Sequence, residues 1–163
     1  MNRLRLPSII AVLVACLSCN SGRATVPDQP SEPFADASMR ATDVVPPSTS
    51  TGTGSADFRR GRGLWVDYTV TLNNVTGLTG LKIYRGATGT NGTVLVNLML
   101  TGVTVPGTIN GVFKSSNFYE AEMPAGFTLD SLRAAIAAGT VYLMATTTTR
   151  PDGEIRGALS LSK

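Results

Sequence analysis

Short apolar runs alternate with clusters of Gly, Asn and Pro from Phe34 to the end of the chain. The runs are rich in Val, Leu, Ile, Thr and Tyr and recur roughly every 10 to 15 residues, which is typical of an antiparallel β-sandwich or a β-barrel. The pattern therefore predicts an all-β domain over residues 34–163, with about seven or eight strands.

The clearest predicted strand has an apolar side chain at every second position. Leu64, Val66, Tyr68, Val70 and Leu72 alternate with the residues of the opposite face, so a period of two assigns them to the core. The same alternation predicts strands at 93–100, with Val94, Val96, Leu98 and Leu100 on one side, and at 154–161. Further strands are predicted at 52–58, 78–84, 108–115 and 140–149.

One short helix interrupts the predicted strands. Leu129, Leu132 and Ile136 follow a period of 3.6 residues, Thr128 can cap the start of the helix and Gly139 can end it. Hairpin loops are predicted at 59–63 and 150–153, where Gly permits the positive φ that a tight turn needs.

The N-terminus has the organisation of a signal peptide. Arg3 and Arg5 give it a positive start, and residues 6–15 form an apolar stretch. This stretch is too short to span a bilayer, which needs about 20 apolar residues, but it has the length of a signal-peptide apolar region. We therefore expect residues 1–15 to be removed on export.

The end of the apolar stretch, Leu13-Val14-Ala15-Cys16, resembles the bacterial lipoprotein cleavage motif. That resemblance implies that Cys16 is lipidated and becomes the mature N-terminus, with Cys19 as the alternative anchor. An ordinary secretory signal with two incidental cysteines is the remaining interpretation. The Pro-rich, non-periodic segment that follows predicts that residues 16–33 form a lipidated N-terminus and a flexible tether with a reach of roughly 20 Å.

The chain contains no histidine and only two cysteines. Ser-His-Asp and Cys-His catalysis, His-ligated metal sites and four-cysteine zinc sites are therefore excluded. The formal net charge is +3, and it falls to about +1 when Arg3 and Arg5 leave with the signal peptide. Nucleic-acid-binding domains are usually far more basic, so we expect no nucleic-acid partner.

Six segments carry a family resemblance: DVVPP (43–47), TGTGSADF (51–58), VDYTVTLNNVTGL (66–78), LKIYRGATGTNGTVLV (81–96), VYLMATTTT (141–149) and RPDGEIRGALSL (150–161). In this order they resemble the CHRD domain, which occurs as a lone domain in exported bacterial proteins. Its most specific block is matched at Pro151, Gly153, Glu154, Ile155, Arg156 and Gly157. The resemblance covers residues 34–161 and implies an immunoglobulin-like antiparallel β-sandwich of about seven or eight strands with one short helix.

The chain departs from the family pattern at three histidines. The positions of the family's His-x-His pair are occupied by Lys82 and Tyr84, and that of its third histidine by Thr146. These side chains are poor metal ligands at neutral pH, so we expect neither a metal nor another cofactor. Because the family histidines are expected to converge on one sheet face, Lys82, Tyr84 and Thr146 form the candidate binding face.

Charged residues outside that face have two interpretations each. Arg59, Arg60 and Arg62 could bind an anionic lipid or polysaccharide surface, or they could form a solvated hairpin tip. Glu154 and Arg156 lie on one face of the last predicted strand and are expected to pair with each other or with a neighbour, in a structural role.

The combined expectation is a non-enzymatic, lipid-anchored protein of the bacterial cell envelope. Its CHRD-like β-sandwich would bind a protein or glycan partner through loops or a sheet face. The alternative is an extracytoplasmic metalloprotein or enzyme on a sandwich similar to that of superoxide dismutase, which the absence of histidine disfavours.

Overall fold

The structure is a computed structural model that describes residues 31–163. The predicted signal peptide, Cys16, Cys19 and most of the predicted tether lie outside the described residues. The strands are β1 (Glu32–Arg40), β2 (Thr53–Arg60), β3 (Trp65–Arg85), β4 (Thr93–Asn97), β5 (Val105–Tyr119), β6 (Val141–Thr147) and β7 (Ile155–Leu161); the helix is α1 (Leu129–Ala137). Short 3-10 turns lie at Ala41–Asp43 and Glu120–Glu122. No helix within residues 31–163 is long and apolar enough to cross a membrane.

The all-β class is confirmed, but the sheet closes on itself. β1 pairs with β2 and β7, β3 pairs with β2 and β6, and β6 pairs with β7, all antiparallel. These five strands form a closed barrel, to which β4 and β5 are added along β3. The strand pattern predicted either a sandwich or a barrel, and the structure has a barrel. It is not specifically the immunoglobulin-like sandwich that the family resemblance implied.

The length of β3 explains the difference. Two separate strands were predicted where the structure has one strand of 21 residues. Its first part pairs with β2 and β5, and its last part, from Leu78 to Arg85, pairs with β6. Between them, Asn74 has φ 55° and Gly77 has φ 67°. These two residues bend the strand and shift its register between the two predicted strands, so one strand contributes to two parts of the wall.

The barrel interior contains most of the predicted core face of β3. Val66, Val70 and Leu72 are fully buried and Tyr68 is 4% exposed. Leu64, in contrast, is 61% exposed, and its assignment to the core was wrong because it lies in the loop before β3, where its carbonyl accepts a hydrogen bond from the Glu120 N–H.

The alternation predicted for 93–100 was also wrong in part. Val94 and Leu100 are exposed, whereas Leu95 and Val96 are both buried. The pairing of β4 with β3 shifts register between Ile83 and Tyr84, and β4 ends at Asn97, so a strict period of two does not hold over this segment.

The predicted helix is confirmed with its ends. The Thr128 hydroxyl accepts a hydrogen bond from the Ser131 N–H at 3.1 Å, and Leu129, Leu132 and Ile136 are buried against the barrel. After α1, Gly139 has φ 67°, which is the left-handed conformation that commonly ends a helix.

The first strand was not predicted. In β1, Phe34, Ala35, Ala37 and Met39 are buried, but the small and polar residues among them give no clear alternation. β1 lies between β2 and β7, and the pairing of β2 with β3 closes the ring of five strands.

Candidate functional site

The candidate site lies on the outside of the barrel wall formed by β3, β6 and β7. Leu81 and Ile83 of β3 are fully buried in the core. Lys82 and Tyr84 alternate with them and therefore lie on the opposite side. We call this side of β3, β6 and β7 the outer face.

The structure brings Lys82, Tyr84 and Thr146 onto this one face. Gly80 pairs with Thr146 across β3 and β6. The Thr146 Oγ1 and the Lys82 Cε lie 2.7 and 3.7 Å from the position that a Cβ on Gly80 would occupy, so the two side chains meet over Gly80. Tyr84 lies two residues beyond Lys82 on the same side of the strand and pairs with Tyr142.

The Tyr84 ring stacks on the ring of Tyr142. Their centroids are 5.1 Å apart and the ring planes differ by 3°. Tyr142 is only 2% exposed, and its hydroxyl oxygen accepts a hydrogen bond from the Gly92 N–H at 2.9 Å. Burial raises the pKa of the Tyr84 phenol above its usual value, and the neighbouring Tyr142 raises it further.

Arg156 of β7 packs on the same aromatic side chain. Its Cζ lies 3.5 Å from the centroid of the Tyr142 ring. Because β6 lies between β3 and β7, Tyr142 lies between Tyr84 and Arg156. A cation over an aromatic face gains about 0.5 to 2 kcal/mol.

Arg156 is a buried cation without a carboxylate partner. It is 5% exposed, and its Nη1 atom is buried with no hydrogen-bond partner. Neither of the two ion pairs within residues 31–163 includes it. Its cross-strand neighbour on β1 is Arg40, which adds a second positive charge to the row. A buried charge in such surroundings costs free energy that the protein itself only partly offsets.

Glu154, two residues earlier, is a buried charge that does have hydrogen-bond partners. It is also 5% exposed, but its carboxylate accepts hydrogen bonds from the Thr147 hydroxyl at 2.9 Å and from the Ser50 hydroxyl. Arg150 Nη1 lies 3.8 Å from it. Of the two pairings expected from the sequence, Glu154 pairs with neighbours and not with Arg156.

The remaining residues of the C-terminal block have packing roles. Pro151 is in the exposed turn before β7, which the Gly153 N–H closes by donating to the Arg150 carbonyl at 3.2 Å. A Cβ on Gly153 would lie 2.6 Å from a methyl carbon of Val44, and one on Gly157 would overlap the backbone of β1. The block therefore brings the segment around Val44 and the strand β1 close to β7.

A cavity of about 350 Å³ opens beside Arg156. Tyr142 and Arg156 line one side, and segments 42–47 and 86–89 line the others. Asn91, two residues after the second segment, donates a hydrogen bond from its side-chain amide to the Val45 carbonyl of the first segment at 2.9 Å. We call this space the Arg156 cavity.

Of the three arginines of the predicted loop, one forms an ion pair within residues 31–163. Arg59 donates to the Ser31 carbonyl at 2.8 Å, and Arg60 forms an ion pair with Asp130 at 2.8 Å. Arg62 is exposed in the loop between β2 and β3.

A family model, that of the CHRD domain, matches residues 35–159. The chain belongs to the CHRD family. No curated protein and no solved structure matches the chain. In this CHRD domain, the described residues contain no group of three or more His, Cys, Asp or Glu side chains that could hold a metal ion.

Sequence reasoning did not identify Tyr142 or the cavity. Tyr142, Met144 and Thr146 share one side of β6, so the alternation could have placed Tyr142 beside Tyr84. The cavity depends on segments 42–47 and 86–89, which are loops without a periodic signal.

We predict that Tyr84→Phe makes the free energy of unfolding of the domain less dependent on pH at alkaline pH. The pKa of Tyr84 in the folded protein is above that in the unfolded chain, so its stabilising contribution is fully present below about pH 10 and is lost as the pH rises through the folded-state pKa. The free energy of unfolding, measured by denaturant titration, should therefore fall less steeply above pH 10 in the variant than in the wild type. Tyr119→Phe, at a half-exposed position, is the matched control, and an unchanged slope in Tyr84→Phe would contradict the prediction.

Proposed function

We propose that the mature chain is a non-enzymatic, lipid-anchored protein of the bacterial cell envelope, whose CHRD domain binds a protein or glycan partner through the outer face. The proposal has two parts, the anchor and the binding face, and they have different support.

The sequence supports the anchor. A positive start, a ten-residue apolar stretch and the Leu13-Val14-Ala15-Cys16 motif precede a Pro-rich segment. Cys16 is the proposed lipidated residue and Cys19 the alternative. The tether would hold the barrel just outside the membrane surface.

The observation that carries the binding function is the composition of the outer face. A sheet face that only meets water is usually covered by small or mobile polar side chains. Here Lys82, Tyr84 and Thr146 are half-buried against their neighbours, and the Tyr84 ring is held by stacking on the buried ring of Tyr142. Tyr and Arg side chains are enriched where proteins bind partners, because they offer large contact area together with polar groups.

The charge of the face favours an anionic partner. Lys82 is half-buried, and Arg40, the cross-strand neighbour of the buried Arg156, is exposed. These accessible cations favour encounter with negatively charged protein or polysaccharide. The absence of histidine from the chain supports a binding rather than a catalytic role.

We predict that Cys16→Ser abolishes membrane anchoring. The variant should lose incorporation of labelled palmitate and should move from the detergent phase to the aqueous phase, since the cysteine thiol is the site of acylation. Cys19→Ser is the matched control and should behave as the wild type. Continued labelling of Cys16→Ser together with loss in Cys19→Ser would move the anchor to Cys19. Labelling of both single variants would contradict the assignment to Cys16 alone, and no labelling of the wild type would contradict the anchor.

We predict that Lys82→Ala/Tyr84→Ala reduces binding to the cell envelope. The full chain carrying Cys16→Ser and Cys19→Ser is mixed with envelopes from cells that lack the protein, and the bound fraction is measured by sedimentation. Loss of two contact residues should weaken binding by about tenfold or more.

The control for this experiment removes the same residue types elsewhere. Lys114→Ala/Tyr119→Ala changes a Lys and a Tyr of β5, away from the outer face, and should bind as the wild type. Circular dichroism and the thermal midpoint check that both double variants are folded. Equal binding by the two double variants would contradict the proposed function. So would the absence of binding by the chain that carries only Cys16→Ser and Cys19→Ser.

A further inference from the structure

We propose that the Arg156 cavity is a binding site for a single carboxylate group of a small ligand, which the Arg156 guanidinium holds through paired hydrogen bonds. This site lies where segments 42–47 and 86–89 cover Tyr142 and Arg156 of the outer face, and it goes beyond the proposed partner binding, because its ligand enters a concave space rather than covering a sheet.

The first argument is the unsatisfied cation. Arg156 is 5% exposed and its Nη1 has no hydrogen-bond partner. Native proteins rarely leave a buried charge in this condition, because its desolvation costs several kcal/mol. Arg156 also lines an open cavity, so a ligand that enters the cavity lies beside a guanidinium whose charge has no ion-pair partner within residues 31–163.

The second argument is the rigid position of the cation. The Arg156 guanidinium is held over the Tyr142 ring at 3.5 Å, and Tyr142 is fixed by Tyr84 on its other side. The planar N–H donors of the Arg156 guanidinium are therefore held in one orientation before any ligand binds. A planar guanidinium matches a planar carboxylate through two parallel hydrogen bonds.

The third argument is the size and lining of the cavity. Its volume of about 350 Å³ is within the range of small-molecule sites. Val44, Val45, Val141 and Ala158 give it apolar walls. The body of the ligand would lie against these walls while its acid group reaches Arg156.

The charge of the lining favours one negative charge over two. Asp43 also lines the cavity, but it forms no ion pair with Arg156 within residues 31–163. Its carboxylate would repel a second charge on the ligand, so the site suits a monocarboxylate better than a phosphate dianion. It can also accept a hydrogen bond from a hydroxyl group on the ligand.

The test uses two acids with matched neutral compounds. The full chain carrying Cys16→Ser and Cys19→Ser is titrated with glucuronate and with glucose, then with benzoate and with benzamide. Binding is followed by calorimetry and by the NMR shifts of the Gly86, Gly89 and Gly139 amides, which lie at the cavity. We expect at least one acid to bind with a Kd of about 1 mM or tighter, and its neutral counterpart to bind about tenfold more weakly or not at all.

The two pairs distinguish the source of the carboxylate. Preference for glucuronate indicates an acidic sugar, and preference for benzoate indicates an apolar acid; both results support the site. Failure of both acids to bind, equal binding of a neutral counterpart, or tighter binding of inorganic phosphate than of either acid would overturn the proposal.

Substitution of Arg156 separates a ligand site from a structural role. Arg156→Met should weaken acid binding by about tenfold or more without lowering the thermal midpoint, because an apolar side chain of similar length removes an unpaired buried charge. Arg62→Met removes the same charge from an exposed loop and should bind as the wild type. Wild-type affinity in Arg156→Met would overturn the site, as would a lowered midpoint with unchanged affinity.

A second variant covers the case in which Arg156→Met does not fold. Arg156→Lys keeps the cation but loses the planar pair of donors, so it should also bind the acid about tenfold more weakly. Unchanged affinity in this variant would overturn the proposal. The titrations measure acid binding at the cavity, and the sedimentation experiment measures envelope binding by the outer face. Either kind of binding can therefore be absent while the other is observed.

Discussion

Two side chains of opposite charge at the start of β7 are both buried, and only the negative one has hydrogen-bond partners that compensate its burial. Glu154 and Arg156 are each 5% exposed. The carboxylate of Glu154 is bonded to Ser50 and Thr147, which fastens the loop after β1 to the ends of β6 and β7. With that loop in place, segment 42–47 lies over Arg156 and forms one side of its cavity. The shape of the cavity thus depends on the hydrogen bonds of Glu154, while its ability to bind an anion depends on Arg156.

The barrel places these two residues where they can act. β7 lies between β6 and β1, so Arg156 has Tyr142 on one side and Arg40 on the other. Gly157 permits the approach of β1 to β7, because a Cβ at that position would overlap the backbone of β1. Closure of the barrel leaves the polar and aromatic residues on its outside, and the cavity forms where two loops cover that outside surface.

Much of this arrangement was readable from the sequence, and the rest depended on tertiary structure. The strand alternation identified Val66, Val70 and Leu72 as core, and the periodicity near Thr128 identified the helix. Leu64 was wrongly assigned to the core, because a local period cannot show where a strand begins. Separate strands were predicted up to Leu72 and at 78–84, whereas positive φ at Asn74 and Gly77 bends one continuous strand. Burial of Arg156 could not be predicted, since it is produced by a loop more than a hundred residues away along the chain.

Arg156 forms no ion pair with a carboxylate within residues 31–163, and Asp43 is the carboxylate of the described residues that lines the same cavity. A double-mutant cycle of Asp43→Asn and Arg156→Met, read as the free energy of unfolding in the absence of organic acids, measures their interaction most directly. We expect a coupling free energy within about 0.5 kcal/mol of zero. A favourable coupling of about 1.5 kcal/mol or more would show that Asp43 already neutralises Arg156, and it would contradict the presence of an unpaired cation at the cavity.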